Sequence, residues 1–137
     1  MPTADSADMA ALVAAQRAAF TAELPVTLAV RRDRIDRAIA MLIDHADEWC
    51  DACSADFGQR SRDLTMISDV LVSANALKHA RKHMAGWMKG ERRKPLFPLG
   101  LLGAGARIEY QPKGVVGIIA PWNFPIGMVM TPLAGIF

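Results

Sequence analysis

The chain is 137 residues long, enough for one small domain, and its 52% hydrophobic and 22% charged residues are those of a globular chain, not a disordered one. A formal net charge of +2 is too small to argue for a nucleic-acid partner. The charge is nonetheless uneven: residues 1–60 carry ten acids against six bases, and residues 61–113 carry ten bases against four acids.

The N-terminal stretch MPTADSADMA has no basic segment leading into an apolar one, so it does not read as a secretory leader. Two cysteines in such a chain fit the reducing cytoplasm, which is the expected compartment.

Helical patterning dominates the first hundred residues. Asp5 or Ser6 is placed to cap a first helix with Met9, Leu12, Val13, Ala19 and Phe20 on one stripe. After Pro25, a second helix is predicted from about Val26 to Trp49. There Leu28, Ile35, Ile39, Leu42, Ala46 and Trp49 fall at spacings of seven, four, three, four and three. A short helix from Asp51 to Phe57 should stop at Gly58, a natural left-handed terminator. Ser61 then caps a third long helix reaching about Lys89, with Asp63 near its positive end. Its core stripe is expected to be Leu64, Ile67, Leu71, Ala74, Leu77, Met84 and Met88, with a gap at Arg81.

Beyond this the pattern changes. KGERRKPLFPLGLLGAGAR is a connector rich in glycine and proline. RIEYQP alternates like a strand, and GVVGIIA is a short continuous β-branched run of the kind buried on both faces of a parallel sheet. IGMVMTPLAGIF resumes a helical pattern. A lone parallel strand cannot satisfy its own backbone groups, so the chain reads as the front of a larger α/β protein.

The 24 residues from Gly114 to Phe137 carry no charge, which by length alone suggests a membrane span. Pro121, Pro125 and Pro132 argue against it, because a lipid-exposed helix would lose backbone hydrogen bonds at each. Strand, turn and buried helix is the better division, and no membrane partner is expected. The contrasting reading is a small helical module whose apolar C-terminal end binds a membrane or a protein partner. A third is a remnant that keeps the start of a fold without chemistry.

Loops at the carboxyl ends of strands in a doubly wound sheet form its ligand crevice, and APWNFP would sit in such a place. Pro121 and Pro125 each fix one backbone angle and extend the residue before them. Trp122, Asn123 and Phe124 are thereby held rigidly. A fixed Asn123 amide suits a developing oxyanion, and it equally suits closing a turn between two aromatic anchors.

GVVGIIAPWNFP resembles the aldehyde dehydrogenase superfamily, whose members carry a Gly-Val-Val-Gly stretch followed by Pro-Trp-Asn-Phe/Tyr-Pro. The preceding helices, the FGQRS turn and ARIEYQPKGVVG are similar to that family's N-terminal region in order and spacing. FGQRSRDLT looks most like the coniferyl aldehyde dehydrogenase branch. The resemblance implies a helical region over 1–95 and the incomplete start of a Rossmann-like NAD- or NADP-binding domain over 96–137. It implies that Asn123 donates its side-chain amide to the oxyanion formed when a cysteine attacks the aldehyde. Ile119, Ala120, Pro121 and Trp122 would line the cofactor cleft beside the nicotinamide half. Hydride passes to NAD or NADP, and a glutamate activates the water that releases the acid. The family's cysteine, that glutamate, and the lysine and glutamate that grip the cofactor ribose all lie downstream of this motif. The chain alone is therefore expected to be an inactive fragment of a homo-oligomeric, cytoplasmic enzyme acting on a small aldehyde.

Other chemistry-bearing residues read more simply. Cys50 and Cys53 form one C-x-x-C without a second pair or a thioredoxin-like context, so they are expected at a helix end. His79 and His83 share a helix face, but Arg81 and Lys82 beside them disfavour a cation, and no metal site is expected. Seven Lys/Arg between Lys78 and Lys94 suit the negative end of a helix. Trp87 beside them is expected in the core. GLLGAGAR follows no strand, so it reads as a surface loop and not a dinucleotide fingerprint.

Overall fold

The computed structural model describes residues 6–137. The Asp5 cap lies outside them. Helix α1 spans Ser6–Glu23 and is rich in alanine, so propensity accounts for it better than packing does. Its expected stripe is not a core: Met9 and Leu12 are exposed, and of the five residues only Val13 and Phe20 are half-buried. No element among the described residues is laid along that face.

The second expected helix is two helices. Helix α2 (Leu28–Asp44) begins at Thr27, whose hydroxyl oxygen accepts from the Val30 amide at 3.3 Å, and it ends at His45. His45 leaves helical geometry (φ −107°, ψ 23°) and starts α3 (Ala46–Phe57). Asp47 and Glu48 explain the restart, since two acids favour a new helix N-terminus over the middle of an old one. Helix α3 stops at Gly58 in the left-handed conformation (φ 62°), as the sequence requires.

The third long helix holds its span but not its register. Helix α4 (Arg62–Thr65) passes into a π-helical segment, Met66–Leu71, and then into α5 (Val72–Trp87). Ser61 stands at the cap position, though its side chain makes no capping bond. The wider π turn rotates the first half of the expected stripe away from the core. Leu64, Ile67 and Leu71 are exposed, while Thr65, Asp69, Val70 and Ser73 are buried. After the π segment Ala74, Leu77 and Met84 point inward as expected, and Met88 and Trp87 do not.

Strand β1 (Glu91–Arg93), not anticipated within the connector, pairs antiparallel with β2 (Ala106–Ile108), which catches only the start of the expected RIEYQP strand. The Tyr110 hydroxyl donates to Glu91 beside this ribbon, which holds the Glu91 carboxyl below its ordinary range and the Tyr110 phenol above its own.

The expected strand over Gly114–Ala120 is not formed: the run has no regular secondary structure, and Ile119 is fully exposed. A buried parallel strand needs neighbours on both edges, and the two-stranded ribbon is the one sheet among the described residues. The expected helix after it is α6 (Gly127–Leu133). Helices α2, α5 and α6 close the core, in which Ile35, Leu42 and Leu77 are fully buried beside Met84, Ile126 and Met130. Leu28, Ile39 and Trp49 of the expected second stripe pack against it.

Candidate active site

The Pro-bounded turn stands directly before α6. The Phe124 carbonyl accepts from the Met128 amide at 3.0 Å, so the turn leads into the first helical bonds, and Asn123 stands four residues before the start of α6. Asn123 and Trp122 are exposed and Phe124 is half-buried.

Two charged side chains from elsewhere hold this turn. Arg60, just past Gly58, donates from Nη1 to the Asn123 carbonyl at 2.6 Å. From Nη2 it donates to Asp69 Oδ2 at 2.8 Å. The other Asp69 oxygen accepts from the Gly127 amide at 2.8 Å and the Ile126 amide at 3.2 Å. The ion pair is buried, with side-chain exposures of 8% for Arg60 and 0% for Asp69. The guanidinium also lies over the Phe57 ring, 5.0 Å from its centroid, and over that of Phe124 at 5.1 Å. Gly127 permits the approach: a Cβ there would stand 3.1 Å from the Ser68 carbonyl oxygen and 3.4 Å from Asp69 Oδ1. Both the backbone after Asn123 and its own carbonyl are thus tied to the rest of the fold, and its side chain stays at the surface.

The other expected site residues are adjacent but more open. Ile119, Pro121 and Trp122 are exposed and Ala120 is half-buried. A depression of about 810 Å³ takes in Ile119 together with Val116, Gly117 and Met128, but not Ala120, Pro121, Trp122 or Asn123. The run itself holds no ionisable side chain, whereas the depression also takes in Arg31, Arg34 and Lys113. The FGQRS turn gives Arg60 no task by its local sequence, and Asp69 belongs to no motif. An acid in the middle of an apolar helical run was the available signal, because such a residue is buried only when paired.

A profile of the aldehyde dehydrogenase family matches residues 1–136. The chain belongs to the aldehyde dehydrogenase family. Over 113 residues it is 52% identical to the coniferyl aldehyde dehydrogenase of Pseudomonas sp. (strain HR199 / DSM 7063), covering 82% of this chain and 23% of that protein. Over 124 residues it is 45% identical to a probable coniferyl aldehyde dehydrogenase of Caulobacter vibrioides, covering 89% of this chain and 25% of that one. The chain thus spans about a quarter of the length of these relatives. In three dimensions it is similar to a Staphylococcus aureus AldH solved in its substrate-bound state, with a TM-score of 0.84 and 22% identity over 93% of this chain and 27% of that one. The fold is accordingly the N-terminal portion of the aldehyde dehydrogenase α/β architecture.

Within this aldehyde dehydrogenase chain the remaining motifs have structural settings. Cys50 and Cys53 are free, buried thiols on α3, and burial raises the Cys53 thiol above its ordinary range. On the exposed face of α5 the His79 and His83 rings are tilted at 36° with centroids 4.4 Å apart, and Trp87 stacks on His83 at 6.0 Å. Among the described residues no cluster of three or more His, Cys, Asp or Glu is placed to hold a metal, and no helix is long and apolar enough to cross a membrane. Leu99–Leu102 of the glycine-rich connector form an exposed 3₁₀ turn.

Proposed function

We propose that this chain supplies the N-terminal part of an NAD- or NADP-dependent aldehyde dehydrogenase that oxidises an aldehyde to a carboxylic acid, with Asn123 as the oxyanion donor. The observation that carries the reading is the setting of Asn123. Its backbone is pinned through the carbonyl and through the amides three and four residues later, while its side chain stays accessible. Preorganised donors of this kind stabilise charge that develops on a reacting oxygen, because no reorganisation is needed when the charge appears. The two relatives named for coniferyl aldehyde support an aromatic aldehyde as the substrate class.

The cofactor supplies the hydride acceptor when bound. Toward it, Ile119, Ala120, Pro121 and Trp122 offer an uncharged, accessible edge for the nicotinamide side. Residues 1–95 serve as the helical region, and 96–137 as the beginning of the cofactor-binding domain. The nucleophilic cysteine and the base glutamate come from sequence downstream of the motif, so the 137 residues alone should produce no NADH from an aldehyde. A homo-oligomeric assembly in the cytoplasm completes the reading.

The test joins this chain to the remaining part of the Pseudomonas sp. relative in place of its own N-terminal segment, and follows NADH formation with coniferyl aldehyde. Turnover is expected, and Asn123→Ala should lower kcat by roughly 10²–10³-fold with little change in thermal stability. An unchanged kcat removes Asn123 from the chemistry.

A further inference from the structure

We propose that Arg60 and Asp69 are positioning residues for Asn123, their buried ion pair fixing where the Asn123 amide stands. The inference rests on the oxyanion reading above for its purpose, but its geometry stands apart from it.

The pair brackets Asn123 along the chain. One branch runs from Arg60 Nη1 to the Asn123 carbonyl, and the other from Asp69 Oδ1 to the amides of Ile126 and Gly127. The bond between Arg60 Nη2 and Asp69 Oδ2 links the branches. Both residues come from elements remote in sequence, the turn after α3 and the π segment, so the turn takes its position from the helical core. The turn has no neighbouring strand to hold it, since Gly114–Ala120 is unpaired.

A purely stabilising role explains the pair poorly. Burying two charges recovers little net energy compared with apolar residues of similar volume, whereas a planar guanidinium bonding two acceptors at fixed angles gives geometric definition. The Phe57 and Phe124 rings restrict the guanidinium further, leaving Nη1 aimed at one carbonyl. Of Asn123, the atom that is held is the carbonyl, and the side-chain amide is what the arrangement leaves to donate.

The test uses the 137-residue chain itself, ¹⁵N-labelled, comparing the natural protein with Arg60→Met and Arg60→Lys by NMR relaxation. Methionine keeps apolar bulk against the two rings, and lysine keeps the charge but not the fork. Methyl signals of Ile35 and Leu77 report whether the core is intact. With the core intact in Arg60→Met, the order parameter of the Asn123 backbone amide should fall from about 0.85 to below about 0.6. Arg60→Lys should lie between the two and keep the downfield position of the Gly127 amide, because lysine can still pair with Asp69 while Asp69 Oδ1 accepts from that amide. If Arg60→Met loses the core signals, Arg60→Lys alone decides, by the same reduced order at Asn123. Undiminished order at Asn123 in the folded variant overturns the inference. That result, with Asn123→Ala still impairing turnover, would leave the oxyanion reading standing. Reduced order with an unchanged kcat in Asn123→Ala would remove the oxyanion reading and leave the positioning intact.

Discussion

Gly127→Ala is a sensitive probe of how α6 is seated, because two opposed effects of known size meet there. Alanine in place of glycine within a helix is ordinarily worth about 0.5–1 kcal/mol, through propensity and a less flexible unfolded chain. At Gly127 the added methyl would meet the Ser68 carbonyl oxygen at 3.1 Å and Asp69 Oδ1 at 3.4 Å. Neither neighbour yields easily: one is backbone inside the π segment, and the other is a buried carboxylate bonded on both oxygens. Overpacking of this kind costs about 1–3 kcal/mol, so the net expectation is a loss of up to about 2.5 kcal/mol, centred near 1. Gly86 near the end of α5 is the control, since a Cβ there meets nothing within 4 Å. Gly86→Ala should gain up to about 1 kcal/mol. Urea titration of both variants reads the difference, and their midpoints should move in opposite directions at unchanged slope. If Gly127→Ala is as stable as Gly86→Ala, α6 does not rest against the π segment as described.

Leu77→Ala removes a fully buried side chain from the centre of the α2–α5–α6 core and should cost about 2–5 kcal/mol by urea unfolding; a loss under about 1 kcal/mol would contradict its central placement. Asp36 bridges α2 to α5 through Arg81, and the hydrogen bond from that guanidinium holds its carboxyl below the usual range. A folded-state pKa below the unfolded one gives stability that is present above the unfolded value and lost as pH falls through the folded one. Asp36→Asn should therefore flatten the acid limb of Tm against pH between about pH 5 and pH 3, and an unaltered limb would show the bridge to be idle. The Cys53 thiol, raised chiefly by burial and secondarily by Asp69, should resist a thiol-reactive dye in the folded chain, as should buried Cys50. Both should label on unfolding, and rapid labelling of one equivalent under native conditions would refute their burial.

Much of this architecture is legible in local sequence. Gly58 announces the end of α3, the spacing of Ile35, Leu42 and Leu77 announces the core, and the proline-bounded WNF triplet announces the turn that carries Asn123. What local pattern misses is set by partners distant in the chain. The β-branched run 114–120 has strand propensity in full, but propensity supplies no neighbour, and a strand exists only as part of a ladder. Periodicity assigns the inward face of residues 62–73 on the assumption of 3.6 residues per turn, and the π segment breaks that assumption where Asp69 lies. Arg60 carries no local signal of its role, since nothing nearby in sequence shows that Asp69 and the Asn123 carbonyl converge on it.

The π segment also makes the turn vulnerable to the smallest of genetic events. A π turn holds one residue more than the α turn it replaces, so deletion of a single codon between Met66 and Leu71 would let the helix close to regular α geometry. Each residue advances a π turn by about 80° and an α turn by about 100°, so six residues of the one span nearly the angle of five of the other, and the helices on either side would keep their faces. Leu64 would stay at the surface and Leu77 in the core. Asp69, inside the segment, would turn by roughly half of one step relative to α5 whichever side of it the deletion fell, away from the amides of Ile126 and Gly127. The altered chain would keep its core and would have lost its hold on Asn123.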